Sequence, residues 1–150
     1  MTRIARFFVL LCAVAGSVVT TASQQQPNRP GGVVIVRPSD VKWVDYPGRP
    51  GVQMMMIEGD LTKPGPFLMR VKFPANYKLA PHTHPGIEHT IVLSGAFRLG
   101  YGTKDDGPAE TLGAGTTFVT PPNTPHFFST TEETIAQTHG VGPWGSTPAK

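Results

Sequence analysis

Cysteine is almost missing from this sequence: its 150 residues contain one, Cys12. That scarcity excludes a disulfide framework, a thiolate metal site and a cysteine nucleophile from the body of the protein. Charge is also scarce. Asp, Glu, Lys and Arg make up 15% of the chain, against about 25% in an average soluble protein. No basic stripe stands out, which argues against a nucleic-acid partner. No segment shows the 3.6-residue apolar period over a helical length, and no internal repeat is visible. The chain is instead rich in Gly (17) and Pro (16), and short apolar runs recur between these residues. That pattern predicts many short strands joined by tight turns, an all-β barrel or sandwich in one domain.

Residues 1–23 read as a signal peptide. Arg3 and Arg6 form a basic start, residues 7–19 are almost wholly apolar, and Thr20, Thr21, Ala22 and Ser23 supply a small-residue cleavage region. The run is shorter than the roughly 20 apolar residues of a membrane span. Cys12 follows Leu11 where a lipoprotein signal has a small residue, so lipid attachment is not expected. Removal of this segment takes the only cysteine and leaves 11 Lys and Arg against 10 Asp and Glu. The expected location is exported, periplasmic or secreted, with no membrane contact after cleavage. Residues 24–32 (QQQPNRPGG) read as a flexible leader, 33–145 as the folded barrel, and 146–150 as a C-terminal tail.

Within 33–145, strands are expected at 33–36, 41–46, 52–58, 67–73, 78–84, 88–94, 97–101, 109–112, 116–120, 126–129 and 134–139. The clearest is 67–73, where Phe67, Met69, Val71 and Phe73 alternate with Leu68, Arg70 and Lys72, the period of a half-buried strand. Met54, Met55 and Met56 read as core filling rather than a soft-metal surface.

The chemistry gathers in two segments. In the first, His82 and His84 are two residues apart, so on a strand both imidazoles face one side. Pro85-Gly86 turns the chain, and Glu88 can return to the same point. Two neutral imidazoles and a carboxylate suit a first-row divalent ion with positions left open. In the second segment, Gly115 to Thr130, a strand ends at a Pro-rich turn and His126 opens the next strand. It joins the site if it faces inward. His89, next to Glu88, is expected on the opposite face. His89 and His139 read as structural or solvent-facing rather than as partners of a ligand. Phe97, Phe118 and Phe128 are candidates to line the barrel and exclude water.

The first segment resembles cupin motif 1, G-x5-HxH-x3,4-E-x6-G, through His82, His84, Glu88 and Gly95, with Asn76 where the first Gly is usual. The second resembles cupin motif 2, G-x5-P-x-G-x2-H-x3-N, through Gly115, Pro121 and His126. Here Asn123 replaces the middle Gly and Thr130 the final Asn. Both Asn replacements are mild, because Asn tolerates the left-handed conformation better than most residues. The segment 137–145 is loosely similar to the tail of small bacterial cupins. The resemblance implies a cupin double-stranded β-helix, a jelly-roll β-barrel holding one divalent metal ion (Fe, Mn, Zn, Ni or Cu) with His82, His84, Glu88 and His126. Cupins that have lost their metal usually lack ligands, and all four ligand types are present here.

With Fe, the resemblance implies dioxygenase chemistry on a small oxygenated molecule, and hence an oxidoreductase. With Ni, Mn or Zn it implies a metal-dependent isomerase or lyase, and Glu88 is the candidate catalytic base. The alternative is a periplasmic cupin that binds metal or ligand without turnover. A lined pocket beside the open metal positions favours the enzyme; a plugged site favours the alternative. A sensor module of the kind attached to anti-sigma factors is disfavoured by the expected signal. Small cupins are often homodimers, and the 33–36 edge is a candidate pairing surface.

Overall fold

A computed structural model describes residues 32–150 of the chain; the expected signal and all of the leader but Gly32 lie outside the described residues. Among the described residues the regular elements are almost all strands. The elements are β1 (Val44–Asp45), β2 (Gln53–Glu58), β3 (Gly65–Phe73), β4 (Lys78–Thr83), β5 (Glu88–Ser94), β6 (Ala96–Tyr101), β7 (Ala109–Gly113), β8 (Thr117–Thr120), β9 (His126–Thr130), β10 (Thr134–Gly142) and β11 (Thr147–Pro148). The only helical element among the described residues is a single 3₁₀ turn at Pro38–Asp40.

The strands form two antiparallel sheets, in the orders β1-β2-β3-β10-β5-β8 and β11-β4-β9-β6-β7. This is the jelly-roll barrel expected of the sequence. Period-two patterning builds it: in β3, Phe67, Met69, Val71 and Phe73 are buried while Leu68, Arg70 and Lys72 are only partly so. These four meet Val92, Phe97, Leu99, Leu112 and Ala136 in one core between the sheets. Met54 belongs to that core and Met55 is buried as well, so the methionine run fills space as expected. Phe73, Phe97 and Phe128 pack edge-on, with ring centroids 4.8–5.4 Å apart.

Several boundaries differ from expectation: the strand expected at 41–46 shortens to Val44–Asp45 and β3 begins at Gly65, and three further differences have a structural reason. Residues 33–36 form no ladder, and Val33, Val34 and Ile35 are exposed. An apolar run becomes a strand only where an edge of matching length receives it; β2 is paired with β1, and the outer edge of β1 is only two residues long. β10 runs on to Gly142, past the expected end at 139. Gly140 allows this, because a Cβ there would lie 2.8 Å from the Phe67 ring of β3. The expected C-terminal tail is also paired: Thr147 and Pro148 lie opposite Thr83 and His82 of β4.

The turns show why two Asn residues stand where glycine is usual. Asn76 (φ 59°) and Asn123 (φ 57°) both take the left-handed conformation. Gly95 (φ 71°) has a further constraint, since a Cβ there would sit 2.5 Å from the Glu133 carbonyl oxygen.

Candidate metal centre

Glu88 comes from the six-stranded sheet, and His82 and His126 come from the five-stranded one, where they are direct cross-strand partners. His84 lies just beyond β4, in the loop leading to β5. The two loops are tied together, because the backbone N–H of Asn123 donates to the His84 carbonyl at 2.8 Å. The left-handed turn at Asn123 thus fixes the loop that carries His84.

His82, His84 and His126 are all buried, and each offers one nitrogen within 4.8 Å of the others. Their tautomers follow from their partners. Nδ1 of His82 donates to the Ala80 carbonyl (2.8 Å), that of His84 to Gly145 (2.7 Å), and that of His126 to Thr124 (3.0 Å). A carbonyl oxygen only accepts, so each Nδ1 carries the proton and each neutral ring keeps a bare Nε2. Neutrality is favoured for His82 and His84. Burial pushes the His82 pKa down to about 3, and the neighbouring His126, His84 and Arg49 charges push the same way. Burial also lowers the His84 pKa, against the opposing pull of Glu88 and the Gly145 hydrogen bond.

Glu88 faces two of these nitrogens. Its Oε2 lies 3.8 Å from His84 Nε2 and 3.6 Å from His126 Nε2, beyond hydrogen-bond reach. That oxygen is buried and has no hydrogen-bond partner. The other oxygen is held, since Thr90 Oγ1 donates to Oε1 at 3.0 Å. Thr138 lies 2.8 Å from the Thr90 hydroxyl and supplies it with a proton in turn. A buried carboxylate oxygen facing the lone pairs of neutral imidazoles is costly unless a cation stands between them. The donor set of three imidazoles and a carboxylate therefore fits a divalent first-row ion.

Around the donors lies an inner cavity of about 60 Å³, with Phe73, Phe97, Phe118, Phe128, Leu79 and Trp144 among its walls. An outer cleft of about 810 Å³ shares Tyr46, Arg49, Leu79 and Trp144 with it. Trp144 stacks on His84, with centroids 4.3 Å apart and planes at 15°.

The structure brings together His82, His84, Glu88 and His126, and leaves His89 and His139 elsewhere. Those two are a cross-strand pair with centroids 5.7 Å apart, and His139 is exposed. Flanked by the inward Glu88 and Thr90, and by Thr138 and Gly140, they face out from the six-stranded sheet. Sequence reasoning missed Thr90, Thr138, Arg49, Tyr46 and the role of Trp144. Thr90 carried a signal, being two residues from Glu88 on the same face. The others reach the site only through the topology.

Residues 32–143 match the family described as the ChrR cupin-like domain. The chain belongs to that cupin family. No curated protein matches this cupin significantly. Among solved structures it is similar to the polyketide cyclase RemF from Streptomyces resistomycificus (22% identity, TM-score 0.64), covering 79% of this chain and 86% of that one. It is also similar to KdgF from Halomonas sp. (23%, 0.57), covering 70% and 89%. A third likeness is to the complex of Rhodobacter sphaeroides SigE with the anti-sigma ChrR (24%, 0.52), covering 69% of this cupin and 50% of that chain. A salicylate 1,2-dioxygenase and a DMSP lyase share the fold. At these identities the likeness concerns the barrel alone, and its bearers carry different chemistries.

Proposed function

We propose that this protein is a metal-dependent cupin enzyme acting on a small oxygenated molecule, with one divalent ion held by His82, His84, Glu88 and His126. The observation that carries the reading is the orphaned Oε2 of Glu88, buried among bare imidazole nitrogens beside a lined cavity. A bound ion would supply Lewis acidity, or redox chemistry if it is iron, at positions the protein leaves open. The chain's own groups do the rest. Backbone carbonyls fix the tautomer and the aim of the three rings. Thr90 pins one oxygen of Glu88, and the phenylalanines keep water out. Among the described residues Glu88 is the only carboxylate in the wall of the inner cavity and is assigned the role of moving a proton to or from the substrate. An oxidoreductase of the dioxygenase type is the favoured reaction class. We further propose export, on the strength of residues 1–23.

Two measurements test this reading. Protein isolated from its native compartment should hold close to one metal ion per chain by elemental analysis. No metal after expression with Fe, Mn, Zn, Ni and Cu supplied would refute the centre. The double variant His82→Ala, His126→Ala should lose that metal, and unchanged loading would show that other residues bind it. The second reading, a cupin that binds metal or ligand without turnover, is favoured by the family's description and by the likeness to ChrR. Loaded protein that binds small molecules yet converts none would select it.

A further inference from the structure

Besides the imidazoles, the inner cavity has two charged groups in its wall, Glu88 and Arg49. Glu88 belongs to the metal centre. Arg49 has no carboxylate partner: none of the ion pairs among the described residues includes it. Its guanidinium donates from Nη2 to Ser146 Oγ at 2.8 Å and lies 5.4 Å from the centroid of the Tyr46 ring. The remaining donors of the fork have no carboxylate to meet.

The position is built rather than incidental. Arg49 sits in a turn closed by three backbone bonds: Arg49 N–H to Tyr46 O (3.1 Å), Val52 N–H to Arg49 O (3.1 Å) and Tyr46 N–H to Val52 O (2.8 Å). Ser146 holds the side chain from the opposite end of the chain. Arg49 also lines both the inner cavity and the outer cleft, which places this cation on the wall the two share. Asp45 and Asp60 line only the outer cleft, and Asp60 is engaged by Thr62 and Lys63.

We propose that Arg49 is the substrate anchor and that the substrate is a small hydroxy- or oxo-carboxylate. Its carboxylate meets the guanidinium while its hydroxyl or carbonyl oxygen reaches the centre. The inference rests on the function proposed above. Three neutral imidazoles, one carboxylate and a divalent ion leave the centre with one net positive charge, and Arg49 adds a second. Among the described residues no other acidic group lines the inner cavity to offset them. A guanidinium fork matches a carboxylate with two parallel hydrogen bonds. The small inner cavity restricts the substrate to few atoms between carboxylate and oxygen donor, and a larger apolar body would extend past Trp144 into the cleft.

The test is calorimetric titration of zinc-loaded protein with lactate, pyruvate, mandelate and 2-hydroxybenzoate, each paired with its amide. The amide keeps the shape and removes the charge. At least one acid should bind about tenfold or more tightly than its amide, the effect of one charge-assisted contact. Arg49→Gln should abolish that preference, and Arg49→Lys should keep part of it. Metal content should remain that of wild type in both variants, since Arg49 is not a ligand. Equal binding of acid and amide, no binding of any acid, or an undiminished preference in Arg49→Gln would each overturn the proposal. Tighter binding of inorganic phosphate than of every acid would overturn the carboxylate assignment. If wild-type protein takes up no zinc, the metal reading has failed instead. The acid–amide comparison on metal-free protein then still decides whether Arg49 selects charge.

Discussion

At the scale of single residues, the centre depends on groups that never touch an ion. Thr90 fixes Oε1 of Glu88 and is itself held by Thr138. Thr90→Val keeps the shape and removes the proton donor, so metal affinity should fall by about 10–100-fold, measured by competition with a chelator. Wild-type affinity in the variant would show that Glu88 needs no such support. The histidines give a pH dependence with a definite sign. Folded His82 has its pKa lowered to about 3 and that of His84 is lowered too, both by burial, from the ordinary value of 6.5. Below that value the unfolded chain takes up protons that the folded one refuses. Metal-free protein should therefore have this stability in full above about pH 6.5 and lose it as pH falls toward 3. Denaturant titrations across that window read the slope, up to about 1.4 kcal/mol per pH unit for each such histidine. A flat profile would mean that these rings are not held neutral.

At the scale of elements, the two left-handed asparagines can be tested directly. Asn123 holds the turn whose N–H supports the His84 carbonyl. Asn123→Ala should cost about 1–2 kcal/mol, whereas Asn123→Gly should be near neutral; thermal unfolding distinguishes them. Equal effects of Ala and Gly would remove conformational strain as the cause. The same scale shows what was legible in the sequence. Strand β3 and the trio His82, His84 and Glu88 could be read because period-two alternation and short-range spacing are local properties. Residues 33–36 and 147–148 could not, because strand character at an edge depends on which partner edge lies free. Arg49, Trp144 and Thr138 were hidden for a related reason. They reach the donors from 33 residues before His82, from the last turn, and from the middle strand of a sheet, and only the order of strands brings them together. Asn76 and Asn123 were legible as glycine substitutes because the conformational demand falls on the residue itself.

At the scale of the whole molecule, the donors join the two sheets: His82 and His126 from one, Glu88 from the other. A bound ion would cross-link them and stabilise the native state by linkage, by about 2.7 kcal/mol when free metal stands at 100 times its dissociation constant. Chelator should accordingly lower the unfolding temperature, and readdition of metal should restore it; no shift in calorimetry would show that the sheets hold without the ion. The lock on this centre comes from the far end of the chain. His84 is oriented by the Gly145 carbonyl and by the Trp144 ring, and the segment that carries them is fastened to β4 by the Thr147 and Pro148 pairing. In a chain synthesised from its N-terminus, all four donors emerge before the residues that aim one of them. An early-arriving ion would meet a loosely hinged imidazole and leave as readily as it came. If the proposed ion binds, its retention would then await the docking of β11, and the surroundings of the polypeptide at that moment would decide which metal the barrel keeps.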